Sequence, residues 1–125
     1  MLQAQILSLL LSLGTATRTG GALTPDLVQP WLDKHFPSLV TKAQALRDGA
    51  TWTEVGALLE AGVTAAQELK GVIAGTARAQ FVLSIVQALV KEFAPPSATW
   101  LMVLLNSPFT LMLIEMAFKR LFPLG

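Results

Sequence analysis

Apolar positions recur at helical spacing along most of the chain, most regularly over residues 76–93. Phe81, Ile85, Leu89 and Phe93 form one ridge, and Val82, Val86 and Val90 form the ridge beside it. Residues three and four apart share a helix face, so the two ridges predict a buried face. Gln80, Ser84, Gln87 and Lys91 alternate with them and predict a polar stripe facing water. Thr76 is placed to cap this helix. Ala94-Pro95-Pro96 ends it, because a helix does not run through two prolines.

A second long helix precedes it. Thr51-Trp52-Thr53-Glu54 has the spacing of a capping box, in which the threonine hydroxyl and the glutamate carboxylate each satisfy the other residue's backbone N–H. The helix is predicted to run to about Ile73. Val55, Leu58, Leu59, Gly62, Ala66, Leu69 and Ile73 lie on its apolar stripe, with Glu54, Glu60, Thr64, Gln67 and Glu68 on the other side. Ala57, Ala61 and Ala65 form a smooth strip that lets another helix come close. Gly71 and Gly75 weaken its end.

The first third of the chain predicts shorter pieces. Leu2, Ile6, Leu9, Leu10 and Leu13 mark a helix with Gln5, Ser8 and Ser12 on a narrow polar edge. Gly14 stops it, and a small, glycine-rich loop follows. Thr24-Pro25 opens the next helix, with threonine as N-cap and proline in the first turn. Leu27, Val28, Trp31 and Leu32 give its apolar face. Pro30 either kinks it or starts a new turn, and Phe36-Pro37 is expected to end it. Ser38 then caps a short helix from Leu39 to Asp48, with Leu39, Val40, Ala43 and Leu46 inward and Gly49 at its C-terminal end.

The last stretch, Ala98 to Phe122, is apolar on every side. Its charges are Glu115, Lys119 and Arg120. A helix that is hydrophobic all round is expected to be buried, in protein or in lipid. Ser97 caps it, and Asn106-Ser107-Pro108 decides its shape. Either Ser107 caps a fresh helix with Pro108 in its first turn, giving two short apolar helices, or one helix with a proline kink runs through. The second form would be about 30 Å long, enough to span a bilayer, with Lys119 and Arg120 at the interface.

Composition fits this pattern. Charged residues are 14% of the chain, against roughly 25% in an ordinary soluble domain, and the mean hydropathy is +0.57. A large part of the apolar surface is therefore expected to meet lipid, a partner chain or copies of the same chain. The expected fold is a single all-α domain over residues 1–125, a small bundle of about six helices. Residues 1–50 give short helices and a loop, 51–93 two amphipathic helices, and 94–125 an apolar helical hairpin or kinked helix.

Net charge is +1, which gives no electrostatic basis for nucleic-acid binding. There are no cysteines, so disulfides, thiolate catalysis and Cys-based zinc sites are excluded. The N-terminal apolar run has no basic residue before it and is too short to span a membrane, so it is not read as a secretory signal. His35 is the one histidine. It is expected to be a surface residue or a helix-end cation, and Asp33, two residues away, does not share its face. The carboxylates are scattered, with no metal-like cluster. The glycine-rich loop lacks Gly-Lys-Ser/Thr, and no Gly-x-Ser-x-Gly occurs. No catalytic residue, cofactor, metal or small-molecule substrate is expected.

The second half of the chain resembles small phage holins of the LLH type. The matching pieces are Ala66-Gln67-Glu68-Leu69, then Gly75-Thr76-Ala77-Arg78 leading into Val82, and Leu113-Ile114-Glu115-Met116-Ala117. The resemblance covers about half of the chain. It implies a non-catalytic helical protein that self-assembles at or in a membrane, and it carries over no catalytic residues. The residues alone leave a second expectation, a soluble structural or adaptor subunit of a larger assembly. Trp100, Leu104, Phe109, Met112, Met116 and Phe118 are the expected interface or membrane-facing residues under both. In the assembly-subunit form, Trp100, Phe109, Met112 and Phe118 lie at the bundle centre or at a subunit contact. The expected partners are copies of the chain or a larger protein assembly, with a membrane as the other surface. The expected location is membrane-associated or cytoplasmic.

Overall fold

A computed structural model describes residues 2–12, 25–47, 51–69, 75–95 and 99–123. They form an all-α bundle: α1 (Leu2–Ser12), α2 (Pro25–Gln44), α3 (Trp52–Ala66), α4 (Gly75–Phe93), α5 (Thr99–Leu105) and α6 (Pro108–Leu121). Single turns of 3-10 helix, Ala45–Arg47 and Gln67–Leu69, extend α2 and α3. Expectations placed on residues 13–24, 48–50, 70–74 and 96–98 lie outside the described residues, as do the side chains of Leu2, Leu10, Ser12, Leu27 and Thr76.

The two ridges of α4 put it at the centre. It packs against each of the other five helices. Phe81, Val82, Ile85, Val86, Leu89, Val90 and Phe93 are all buried. They meet Val55, Leu58, Val63 and Ala66 from α3, Val28, Leu32 and Leu39 from α2, and Ile6 from α1 in one core. The α3 contact is close at Gly62, where an added Cβ would stand 3.0 Å from Val82 Cγ1.

The capping box forms as its spacing predicts. Glu54 N–H donates to Thr51 Oγ1, and Thr51 N–H donates to the Glu54 carboxylate. At the other end, the α-helix stops at Ala66 and tightens into a 3-10 turn at Gln67–Leu69, short of the expected Ile73. The Ala65 carbonyl accepts from Trp31 Nε1 at 2.9 Å, so a buried indole of α2 is satisfied on α3. α4 begins at Gly75, which places Thr76 inside the first turn rather than at the N-cap.

Pro37 does not end a helix. α2 runs through both Pro30 and Pro37 as one twenty-residue element, so Leu39 to Gln44 is its continuation. The two prolines are seven residues apart, two turns, and both are exposed. Their missing N–H groups therefore fall on the exposed side of the helix, where a freed carbonyl costs least because solvent can reach it. Thr41 Oγ1 donates to the Pro37 carbonyl at 2.9 Å.

The tail is broken at Pro108. α5 and α6 meet at a bend of 68° across Asn106 and Ser107. Proline has no N–H and pushes the residue before it into extended backbone, and Ser107 is there, at φ −87° and ψ 154°. Ser107 holds the N-cap position, but its hydroxyl turns back and donates to the Leu104 carbonyl at 2.6 Å. Thr110 Oγ1 donates to the same carbonyl at 2.6 Å, which accounts for a fully buried threonine.

Candidate functional site

Both tail helices are one-sided in their packing. Leu101 and Leu105 of α5, and Thr110, Ile114 and Ala117 of α6, are buried. α5 rests on α4, and α6 rests on α3 and α4. The opposite face is also largely apolar, and much of it is left open among the described residues. Trp100 is 45% exposed, Val103 71%, Phe109 50%, Met112 52% and Met116 58%. Trp100 and Val103 are three apart on α5, and Phe109, Met112 and Met116 follow helical spacing on α6, so each set lies along one stripe. Within the chain itself, the bundle thus buries the inner half of these two helices and leaves the outer half open.

Three of the six expected interface residues, Phe109, Met112 and Met116, lie on the outer stripe of α6, and Trp100 lies on that of α5. Leu104 is half-buried beside the bend. Phe118 is also half-buried, with the Arg78 guanidinium 5.4 Å from its ring centroid. Trp100, Phe109 and Met112 are at the surface, not at the bundle centre. Val103, the most exposed of these side chains, had a signal in the sequence: it sits three residues after Trp100 on the same face.

Together these side chains leave an apolar area on the order of 600 Å² open, at the upper end of what a monomer carries. Glu115 and Lys119 border the α6 stripe, each three residues from one of its methionines. Lys119 and Arg120 stand at the far end of α6, and Arg120 is tied to Glu60 of α3 in an ion pair. Among the described residues no single helix is long and apolar enough to cross a membrane, while α5 and α6 together reach that length and composition as a bent pair.

The polar face of α3 holds charged contacts of another kind. His35 is neither a surface residue nor at a helix end. It sits in the middle of α2, 18% exposed, with its ring 5.5 Å from that of Trp31. Its Nε2 is 3.1 Å from Glu68 Oε1, at ion-pair distance but without hydrogen-bond alignment. Lys34 Nζ donates to both Glu68 oxygens at 3.2 Å. His35 first, and Lys34 second, hold the Glu68 carboxyl below the ordinary glutamate value of 4.5. Asp33 instead accepts from Gln29 at 2.9 Å and from Gln3 of α1. Glu60 and Glu68 therefore act as anchors for α6 and α2. Among the described residues no group of acidic and histidine side chains could hold a metal ion.

The polar stripe of α4 has two environments. Gln80 and Lys91 are exposed, whereas Gln87 turns to the tail and donates to the Leu105 carbonyl and to Asn106 Oδ1. Beside it a shallow groove of about 740 Å³ runs between α1, α4 and α5. No protein-family model, curated protein sequence or solved structure matches this chain.

Proposed function

We propose that this protein is a non-catalytic assembly protein that associates with copies of itself through the outer face of α5 and α6. The observation that carries the proposal is the exposed stripe Trp100, Val103, Phe109, Met112 and Met116 on helices whose other face is already committed to the core. Its area approaches the roughly 800 Å² that each partner gives to a standard interface. Apart from Val103 its members are aromatic and methionine side chains, types enriched in interface cores. A lipid surface fits less well, because interfacial helices usually carry a strongly basic polar face, and here Arg120 is held by Glu60.

The test is sedimentation of the detergent-free chain, alone and as Val103→Glu with Met116→Glu. The expected result is a particle of defined mass above one chain that falls to a monomer in the variant, with helical circular dichroism unchanged. A wild-type chain that stays monomeric up to high concentration would overturn the proposal.

One observation favours a second reading. The bent pair α5–α6 is long and apolar enough, taken together, to cross a bilayer. In that form the chain assembles in a membrane, as its resemblance to phage holins implies. Leu101, Leu105, Ile114 and Ala117 would then leave the core. Recovery of the protein only in membranes, resisting an alkaline wash, is the result that would select it.

A further inference from the structure

Among the described residues Arg78 is a half-buried charge with no ionic partner. It sits in the first turn of α4, half-buried. Its Nη1 donates to Gln67 Oε1 at 2.9 Å, a neutral acceptor. Its Nε is sealed from water and has no acceptor. Among the described residues no carboxylate pairs with it, unlike Lys34, His35 and Arg120. Burial lowers its pKa, a sign that the charge is held at a cost. A partly desolvated cation normally finds a counter-charge.

The guanidinium borders a cavity of about 210 Å³ between α4 and the end of α6. Gln67, Arg78, Phe118, Lys119, Phe122 and Pro123 line it. Among the described residues the lining thus has two cations and no anion. Gln67 adds one amide, and Phe118, Phe122 and Pro123 make the rest of the described wall apolar, with Phe118 under the arginine. The volume is below the roughly 300 Å³ at which pockets for drug-sized ligands begin. It suits a small headgroup with a few carbons attached.

We propose that this cavity binds a phosphomonoester carried on a small apolar group. The outer Nη edge of the guanidinium, beyond its bond to Gln67, is suited to phosphate oxygens, and Lys119 of α6 adds a point charge. A phosphomonoester carries close to two negative charges at neutral pH, which balances Arg78 and Lys119. A carboxylate balances only one. The apolar part of the ligand lies against Phe122 and Pro123. The source is either a free small ester or the headgroup of a lipid that ends in a phosphomonoester.

The test follows the side-chain Nε–H resonance of Arg78 in ¹⁵N-labelled full-length protein, assigned by its loss in Arg78→Lys. Phenyl phosphate, benzoate and sodium chloride are titrated at matched ionic strength. Vesicles of phosphatidylcholine with and without phosphatidic acid form the lipid arm. The expected result is a saturable shift with phenyl phosphate, weaker with benzoate and absent with chloride. Lys119→Gln, an exposed substitution that leaves the core intact, weakens it at least about tenfold, the effect of losing one charge-assisted contact. A response to phosphatidic acid vesicles alone also supports the site and assigns the ester to lipid. No saturable shift in either arm, equal binding of benzoate, or unchanged affinity in Lys119→Gln would each overturn the proposal.

Discussion

Gln87 of α4 reaches Asn106 in the turn after α5: Gln87 Nε2 donates to Asn106 Oδ1 at 3.0 Å and to the neighbouring Leu105 carbonyl at the same distance. The last carbonyls of a helix have no partner within it. Gln87 supplies one at the point where α5 stops and the chain turns into α6. The contact pins the bend to the central helix.

Gln87→Leu removes that donor while keeping the side chain's bulk. The expected loss is about 1 kcal/mol, that of one hydrogen bond with its acceptors left near water. Urea melts of the variant measure it. An unchanged midpoint would mean that the bend holds without α4.

Two glycines of α3 predict opposite signs. At Gly56 nothing stands within 4 Å of an added Cβ, so Gly56→Ala should stabilise by up to about 1 kcal/mol through helix propensity and lost unfolded-state freedom. At Gly62 the new methyl meets Val82 Cγ1 at 3.0 Å. Val82 is fully buried and stiff at χ1, so Gly62→Ala should destabilise. Adding Val82→Ala should recover part of that loss relative to Val82→Ala alone. A double-mutant cycle with no coupling would show that the helices separate freely there.

Phe81 and Leu89 sit eight residues apart on the same ridge, each with no exposed surface. Replacing either by alanine should cost about 2–5 kcal/mol. Denaturant melts showing no loss for either would remove that ridge from the core.

Glu68 gives a pH dependence with a definite sign. Its folded-state pKa lies below 4.5 because His35, then Lys34, favour the carboxylate. A depressed carboxyl pKa stabilises the fold above the unfolded value, and that stability is lost as pH falls through the folded value. The effect is small, since the Glu68 side chain is 44% exposed to screening solvent. Glu68→Gln should flatten the acid limb of the stability curve below about pH 4.5 and leave the rest of its shape unchanged. Equal acid limbs in thermal melts of the two proteins would remove the link.

The all-α class, the central amphipathic helix and the capping box are written locally, as is the place, Ser107-Pro108, where the tail either kinks or breaks. Each depends on spacing within one turn or a few, on a cap, or on proline's missing N–H, and such rules act without knowledge of the rest of the chain. Pro37 shows where local rules stop. It reads as a helix end, yet α2 continues because solvent can reach the freed carbonyl on its exposed face. His35 shows the same. Its partner, Glu68, is thirty-three residues away, and only the packing of α2 on α3 brings them together. The tail is the clearest case. Composition made α5 and α6 largely apolar, and only Glu115, Lys119 and Arg120 of α6 mark the side that stays out of the core. The docking of Leu101, Leu105, Ile114 and Ala117 against α3 and α4 made that choice and left Trp100, Val103, Phe109, Met112 and Met116 facing outward. The same docking set Phe118 and Lys119 beside Arg78. Sequence determined which segments are helices and which are apolar. Tertiary structure alone decided which apolar face stays open and which charges share a cavity, because both depend on contacts between residues far apart in the chain.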